Sequence, residues 1–197
     1  MNPPSLRDAR ALFDEIENDA YEMRSDKVEA VICMPYIFLS DFDSEGKVRL
    51  GAQDVFWESR GAYTGEISAE MLRRLGVGYA IVGHSERRKF LGETDEMANS
   101  KVAACLAEGM RPILCIGETL EERRRGDAGD VIIRQLEKAL GGISDSSARG
   151  KLAPVPVIAT STAAAPNFED SLERTTSRCS SPWPESRVSV VSAFLLV

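Results

Sequence analysis

Short apolar runs alternate along this chain with stretches of helical period, and no other feature limits the fold as tightly. Residues Ser5 to Met23 set Leu6, Ala9, Leu12, Phe13, Ile16 and Ala20 at helical spacing just behind Pro3 and Pro4. Apolar runs follow at Val28–Met34 and Val48–Val55, then a helix near Ala69–Leu75 and a strand at Tyr79–Val82. A helix at Glu96–Glu108 and a strand at Pro112–Ile116 come next. A helical stretch over Leu120–Leu140, with a break at Gly126–Gly129, leads to a further strand at Val155–Ala159. Strands without polar alternation, joined by helices, argue for a parallel sheet with crossover helices, either closed as a barrel or open and doubly wound.

That pattern lapses near residue 150. All 15 glycines lie at or before Gly150, and the segment from Thr160 to Val197 is rich in Ser and Thr with no glycine. Tight turns and close backbone approach to a ligand are thereby limited. The chain therefore divides into an α/β body over residues 1–159 and a divergent tail over residues 160–197.

Composition narrows the setting. With 43% apolar and 28% charged residues the body can build a core, and 24 basic against 31 acidic side chains give a net charge of −7. Such a balance opposes nonspecific attraction to polyanions, so neither nucleic acid nor an anionic membrane is expected as a partner. Arg87–Arg88 and Arg123–Arg125 are flanked by Glu and read as solvated helical faces. Cys33, Cys105, Cys115 and Cys179 form no CxxC pair, which speaks against a zinc site or a disulfide framework and for a reducing compartment. The N-terminus has no apolar core of signal-peptide type, and Val188–Val197 is too short to span a bilayer. A cytoplasmic location is expected.

The chemistry concentrates at Gly78–Arg88, GYAIVGHSERR, where a strand ends at Gly83 and His84, the one histidine of the chain, follows at once. In barrels the C-terminal strand ends form the catalytic face. Ser85 suits a helix cap and Glu86 the first turn of that helix. His84 beside the helix's positive end is favoured as a neutral imidazole, able to donate a hydrogen bond to a substrate oxygen.

Five segments in order, GAQDVFW (51–57), GAYTGEIS (61–68), VGHSERR (82–88), LGETDE (91–96) and PILCIGE (112–118), resemble the triosephosphate isomerase family. The resemblance covers residues 1–159. It implies a (β/α)8 barrel, here incomplete, that interconverts dihydroxyacetone phosphate and glyceraldehyde 3-phosphate through an enediolate, with no metal or organic cofactor. In that family the chemistry is divided between a glutamate base and a neutral histidine electrophile. By position His84 matches the electrophile. Glu86 matches a supporting carboxylate, and Thr64 the dimer-loop threonine that reaches toward a neighbouring subunit, so a homodimer is implied. Cys115 matches a buried family cysteine, a packing group more than a chemical one.

The departures are as specific. The family's first strand carries a substrate-binding lysine within a motif of the form NWKMN, and no lysine here takes that place. Its base belongs to VIAYEPVWAIGTG, whereas this chain reads VIATSTAAAPNFE, with Ser161 where the glutamate falls. A serine hydroxyl is not a useful base near neutral pH. The glycine-rich loops that grip phosphate after strands seven and eight have no counterpart beyond Gly150, even if Val157–Leu195 is set against those two strands. A frame change or decay near Ala159 accounts for the tail. The sequence so read is a catalytically incomplete isomerase, or alternatively a noncatalytic fragment acting at most as a dimerisation module. GVGYAIVG does not support a third reading as a dinucleotide-binding protein, because its glycines flank the strand instead of forming a turn after it.

Overall fold

A computed structural model describes residues 3–22, 29–43 and 46–143, and the backbone of 157–159. The elements run in the order α1 (Leu6–Glu22), β1 (Ala30–Met34), a 3-10 turn (Tyr36–Asp41), β2 (Val48–Ala52), α2 (Ala69–Arg74), β3 (Tyr79–Val82), α3 (Ser85–Leu91), α4 (Asp95–Ala107), β4 (Arg111–Ile116), α5 (Leu120–Arg125), α6 (Ala128–Leu140) and β5 (Val157–Ala159).

The five strands form one sheet in the order β1-β2-β3-β4-β5, every neighbouring pair parallel. The order decides between the two architectures left open above. A doubly wound sheet reverses its strand order and places helices on both faces, whereas here each strand lies beside its predecessor without reversal. The helices also gather on one side. Ala80, Val82, Leu114 and Ile116 share a cluster with Phe13 and Ala20 of α1, Leu72 of α2, Ala98, Val102 and Cys105 of α4, and Ile132, Leu136 and Ala139 of α6. The alternate positions Tyr79, Ile81, Ile113 and Cys115 are buried outside that cluster, on the opposite face. One face toward helices and one toward an interior is the arrangement of a barrel wall.

Local chemistry explains the boundaries. Ser5 Oγ accepts the Asp8 amide at 3.2 Å and opens α1, whose buried side chains Ala9, Phe13 and Ala20 follow the expected stripe. Thr119 and Glu122 form a capping box at the start of α5, and Gly126, at φ 83°, ends it in the left-handed conformation that a side chain disfavours. The break expected at Gly126–Gly129 is therefore real. Strand β2 stops at Ala52, three residues before the sequence run ends, where Gln53 donates to the Cys33 carbonyl of β1 at 3.4 Å and Asp54 joins Arg87 and Lys101. Met23, Val28, Val155 and the tail 160–197, Ser161 included, lie outside the described residues. Among the described residues no helix is long and apolar enough to cross a membrane.

Candidate functional site

Two strand ends, those of β3 and β4, build the best-defined part of the catalytic-type face. β3 runs Tyr79 to Val82 with every residue buried, and Gly83 then adopts φ 74°. A glycine is required here: a Cβ would stand 2.9 Å from the carbonyl oxygen of Cys115, and the backbone conformation itself disfavours a side chain. Both polar groups of Gly83 are held by side chains from downstream. Its N–H donates to Glu93 Oε1 at 2.7 Å, and its carbonyl accepts from Arg88 Nε at 2.7 Å. Arg88 in turn pairs with Asp95 at 2.6 Å. At the next strand end Gln135 grips Gly117 in the same manner, accepting its N–H at 2.8 Å and donating to its carbonyl at 3.0 Å.

His84 follows this clamped glycine. The sequence points to Ser85 as the cap of α3, but His84 itself is the N-cap and Ser85 the first helical residue. The reason is local geometry: His84, at φ −57° and ψ 141°, turns the chain into the helix, and its Nδ1 accepts the Glu86 amide at 3.4 Å, as an Asn or Asp oxygen would at that position. In this contact Nδ1 is the acceptor, the arrangement that goes with a ring proton on Nε2. The Glu86 carboxylate lies farther away, 3.7 Å from Nδ1, and is mostly exposed. His84 is 12% exposed.

Behind the histidine lies a closed ring of four charges that the sequence reading missed. Lys101 Nζ, on α4, reaches Asp54 at 2.6 Å and Glu93 at 2.7 Å; Arg87 reaches the same two carboxylates at 2.6 and 2.8 Å. Asp54, Glu93 and Lys101 are all buried. Each carboxylate thus faces two cations. Burial pushes the Asp54 carboxyl up, whereas for Glu93 burial is outweighed by Lys101, Arg87 and the Gly83 amide, which hold it below the ordinary carboxylate range. Arg87 is thus the partner of two buried acids and Arg88 of the half-buried Asp95, not a solvated face. Arg123 likewise pairs with the buried Glu118 carboxylate at 2.6 Å, while Arg124 and Arg125 are exposed as expected.

A signal for the ring was present in the sequence. Lys101 falls on the stripe Ala98, Lys101, Val102, Cys105, the buried face of α4, and a lysine on such a stripe needs an acidic partner. The segment 61–66, with Thr64, is exposed and returns to the body where Phe56 N–H bonds the Ile67 carbonyl at 2.8 Å. Cys115 is buried in β4, and burial pushes its thiol up to about 12, in keeping with a packing role.

A sequentially ordered parallel sheet with helices on one face and a histidine at a strand end defines the class: an α/β protein of the barrel type. The triosephosphate isomerase family model matches residues 1–178. A triosephosphate isomerase of Thermoanaerobacter pseudethanolicus is 46% identical over 126 residues, 62% of this chain and 51% of the relative. One from Alkaliphilus oremlandii is 44% identical over 146 residues, 73% of this chain and 57% of the relative. The crystal structure of triosephosphate isomerase from Bartonella henselae superposes with a TM-score of 0.57 at 37% identity, covering 66% of this chain and 53% of the other. The chain belongs to the triosephosphate isomerase family. It spans about half the length of these relatives.

Proposed function

We propose that this chain carries the electrophilic part of a triosephosphate isomerase site, with His84 as the group that polarises the substrate carbonyl. The observation that carries the reading is the hydrogen bond from the Glu86 amide to His84 Nδ1, which leaves Nε2–H as a neutral donor. Aldose–ketose isomerisation of a triose phosphate removes a proton beside a carbonyl and builds negative charge on oxygen. A positioned donor that meets this charge typically contributes about 100-fold to 1000-fold.

The same reading leaves the 197 residues as they stand short of a complete site. Ser161 occupies the place of the base by motif, and no lysine matches the family's substrate-binding one. Residues 1–159 form the barrel part and residues 160–197 a divergent segment. Thr64 and the exposed 61–66 segment serve a homodimer contact, Glu86 supports the site, and the protein is cytoplasmic. A noncatalytic barrel fragment that at most dimerises is the second reading, favoured by the serine that stands at the place of the base.

A coupled assay of glyceraldehyde 3-phosphate isomerisation on this chain, beside His84→Ala, tests both. No activity above background is expected. Activity that disappears in His84→Ala would overturn the incompleteness while supporting His84, and activity indifferent to that substitution would overturn the role of His84. Sedimentation of wild type and Thr64→Arg tests the dimer contact, which a wild-type monomer would refute.

A further inference from the structure

We propose that Glu93 is a positioning residue for His84, fixing the direction of the imidazole through the Gly83 amide, with Lys101 as the counterion that keeps the Glu93 carboxylate in place. The proposal rests on the reading of His84 as the site's donor and adds what aims it.

The direction of the His84 ring depends on the backbone immediately before it. Gly83, at φ 74°, is the one residue type free to rotate there, so the geometry has to be imposed from outside. Glu93 imposes it on the N–H and Arg88 on the carbonyl, both at 2.7 Å. Glu93 is well suited to the task. It lies directly before Thr94, whose Oγ1 accepts the Met97 amide at 3.2 Å and caps α4, so the segment bearing Glu93 is anchored to a 13-residue helix.

The division of labour between the two carboxylate oxygens separates this role from simple charge burial. Two cations stand beside Glu93, and both are served by Oε2, Arg87 at 2.8 Å and Lys101 at 2.7 Å. The other oxygen, Oε1, is given over to the backbone of the residue before the histidine. A carboxylate present only to neutralise cations gains most from spending both oxygens on them. Lys101, tied also to Asp54, fixes the roll of the carboxylate so that Oε1 faces Gly83.

His84 is the single histidine in the sequence, so nitrogen-15 labelling of histidine gives one imidazole spectrum without overlap. At about pH 8, above the ordinary imidazole range, the parent chain is expected to show a fixed Nε2–H tautomer with Nδ1 as acceptor. Two variants then differ only in whether residue 93 offers an acceptor. Glu93→Met with Lys101→Met removes one anion and one cation, leaves Asp54 paired with Arg87 at 2.6 Å, and keeps side chains of similar length in the core. Glu93→Gln with Lys101→Met has the same charge balance and retains an amide oxygen for Gly83.

Both variants are expected to keep the parent's far-ultraviolet circular dichroism. In the methionine pair the fixed tautomer should be lost, its two nitrogen shifts drawing together toward those of exchanging forms; the glutamine pair should restore the parent pattern. A methionine pair with the parent pattern, or a glutamine pair without it, overturns the proposal. A parent chain that itself shows exchanging tautomers overturns the reading of His84, and does so before any variant is made.

Discussion

Replacing Lys101 alone by methionine should be far more damaging than replacing it together with Glu93. The parent ring balances two carboxylates against two cations. Lys101→Met leaves Asp54 and Glu93, 6% and 4% exposed, facing one guanidinium between them. An uncompensated buried charge of this kind costs about 3–5 kcal/mol, a large share of the roughly 5–15 kcal/mol that holds a domain together. The double variant removes one charge of each sign and should lie within about 1 kcal/mol of the parent, since well-packed apolar side chains commonly replace a buried ion pair without loss. The expected coupling between the two sites is therefore at least about 2 kcal/mol. Urea unfolding at neutral pH measures it, and a single variant that fails to fold where the double variant folds gives the same answer. A pH series sharpens the test. In the parent, Glu93 is held below its ordinary value of 4.5, so the stability it contributes is full above that value and is lost as the pH falls through the lowered one. Without Lys101, burial dominates and the carboxyl is pushed up. The folded variant then takes up a proton more readily than its unfolded chain, and its deficit against the parent should shrink as the pH falls from neutral. Single and double variants of equal stability, or a deficit indifferent to pH, would refute the charge-ring account.

Leu114 is fully buried between sheet and helices, and Leu114→Ala should destabilise by about 2–5 kcal/mol in the same urea assay. Thr119→Ala removes one half of a capping box at an exposed helix start and should cost about 1 kcal/mol, read as a small shift of the urea midpoint. Cys105 and Cys115 are buried, and burial pushes both thiols up to about 12, so iodoacetamide at neutral pH should leave them unmodified until urea is added; peptide mapping distinguishes them from Cys179.

The wall of the barrel was legible because its signal is repetitive. Strands β1 to β4 are largely apolar runs of four to six residues, and each long helix carries a stripe that the sheet requires. Strand ends were less so, since Val55 extends the apolar run beyond β2 while Asp54 within it is given to Lys101. The start of α3 was misread by one residue: propensity favours Ser85 as a cap, while the backbone after a left-handed glycine gives the cap position to His84. The charge ring was illegible as a ring because its members, at 54, 87, 93 and 101, come from four separate segments, and only Lys101 on an apolar stripe hinted at it. Arg87 and Arg88 show the same limit, since their Glu neighbours in sequence are not their partners in space.

The sheet's order carries one more consequence, for how such a chain acquires its structure during synthesis. Because β1 to β5 lie side by side in the order in which they leave the ribosome, each new strand finds its partner already in place, with one crossover to close and no later segment to wait for. Registers such as Ala80 with Pro112 and Cys115 with Ile158 can be laid down successively from the N-terminal side. A sequence change after Ala159 therefore falls beyond the four strand pairings upstream, and His84, between β3 and β4, lies within the part that they join.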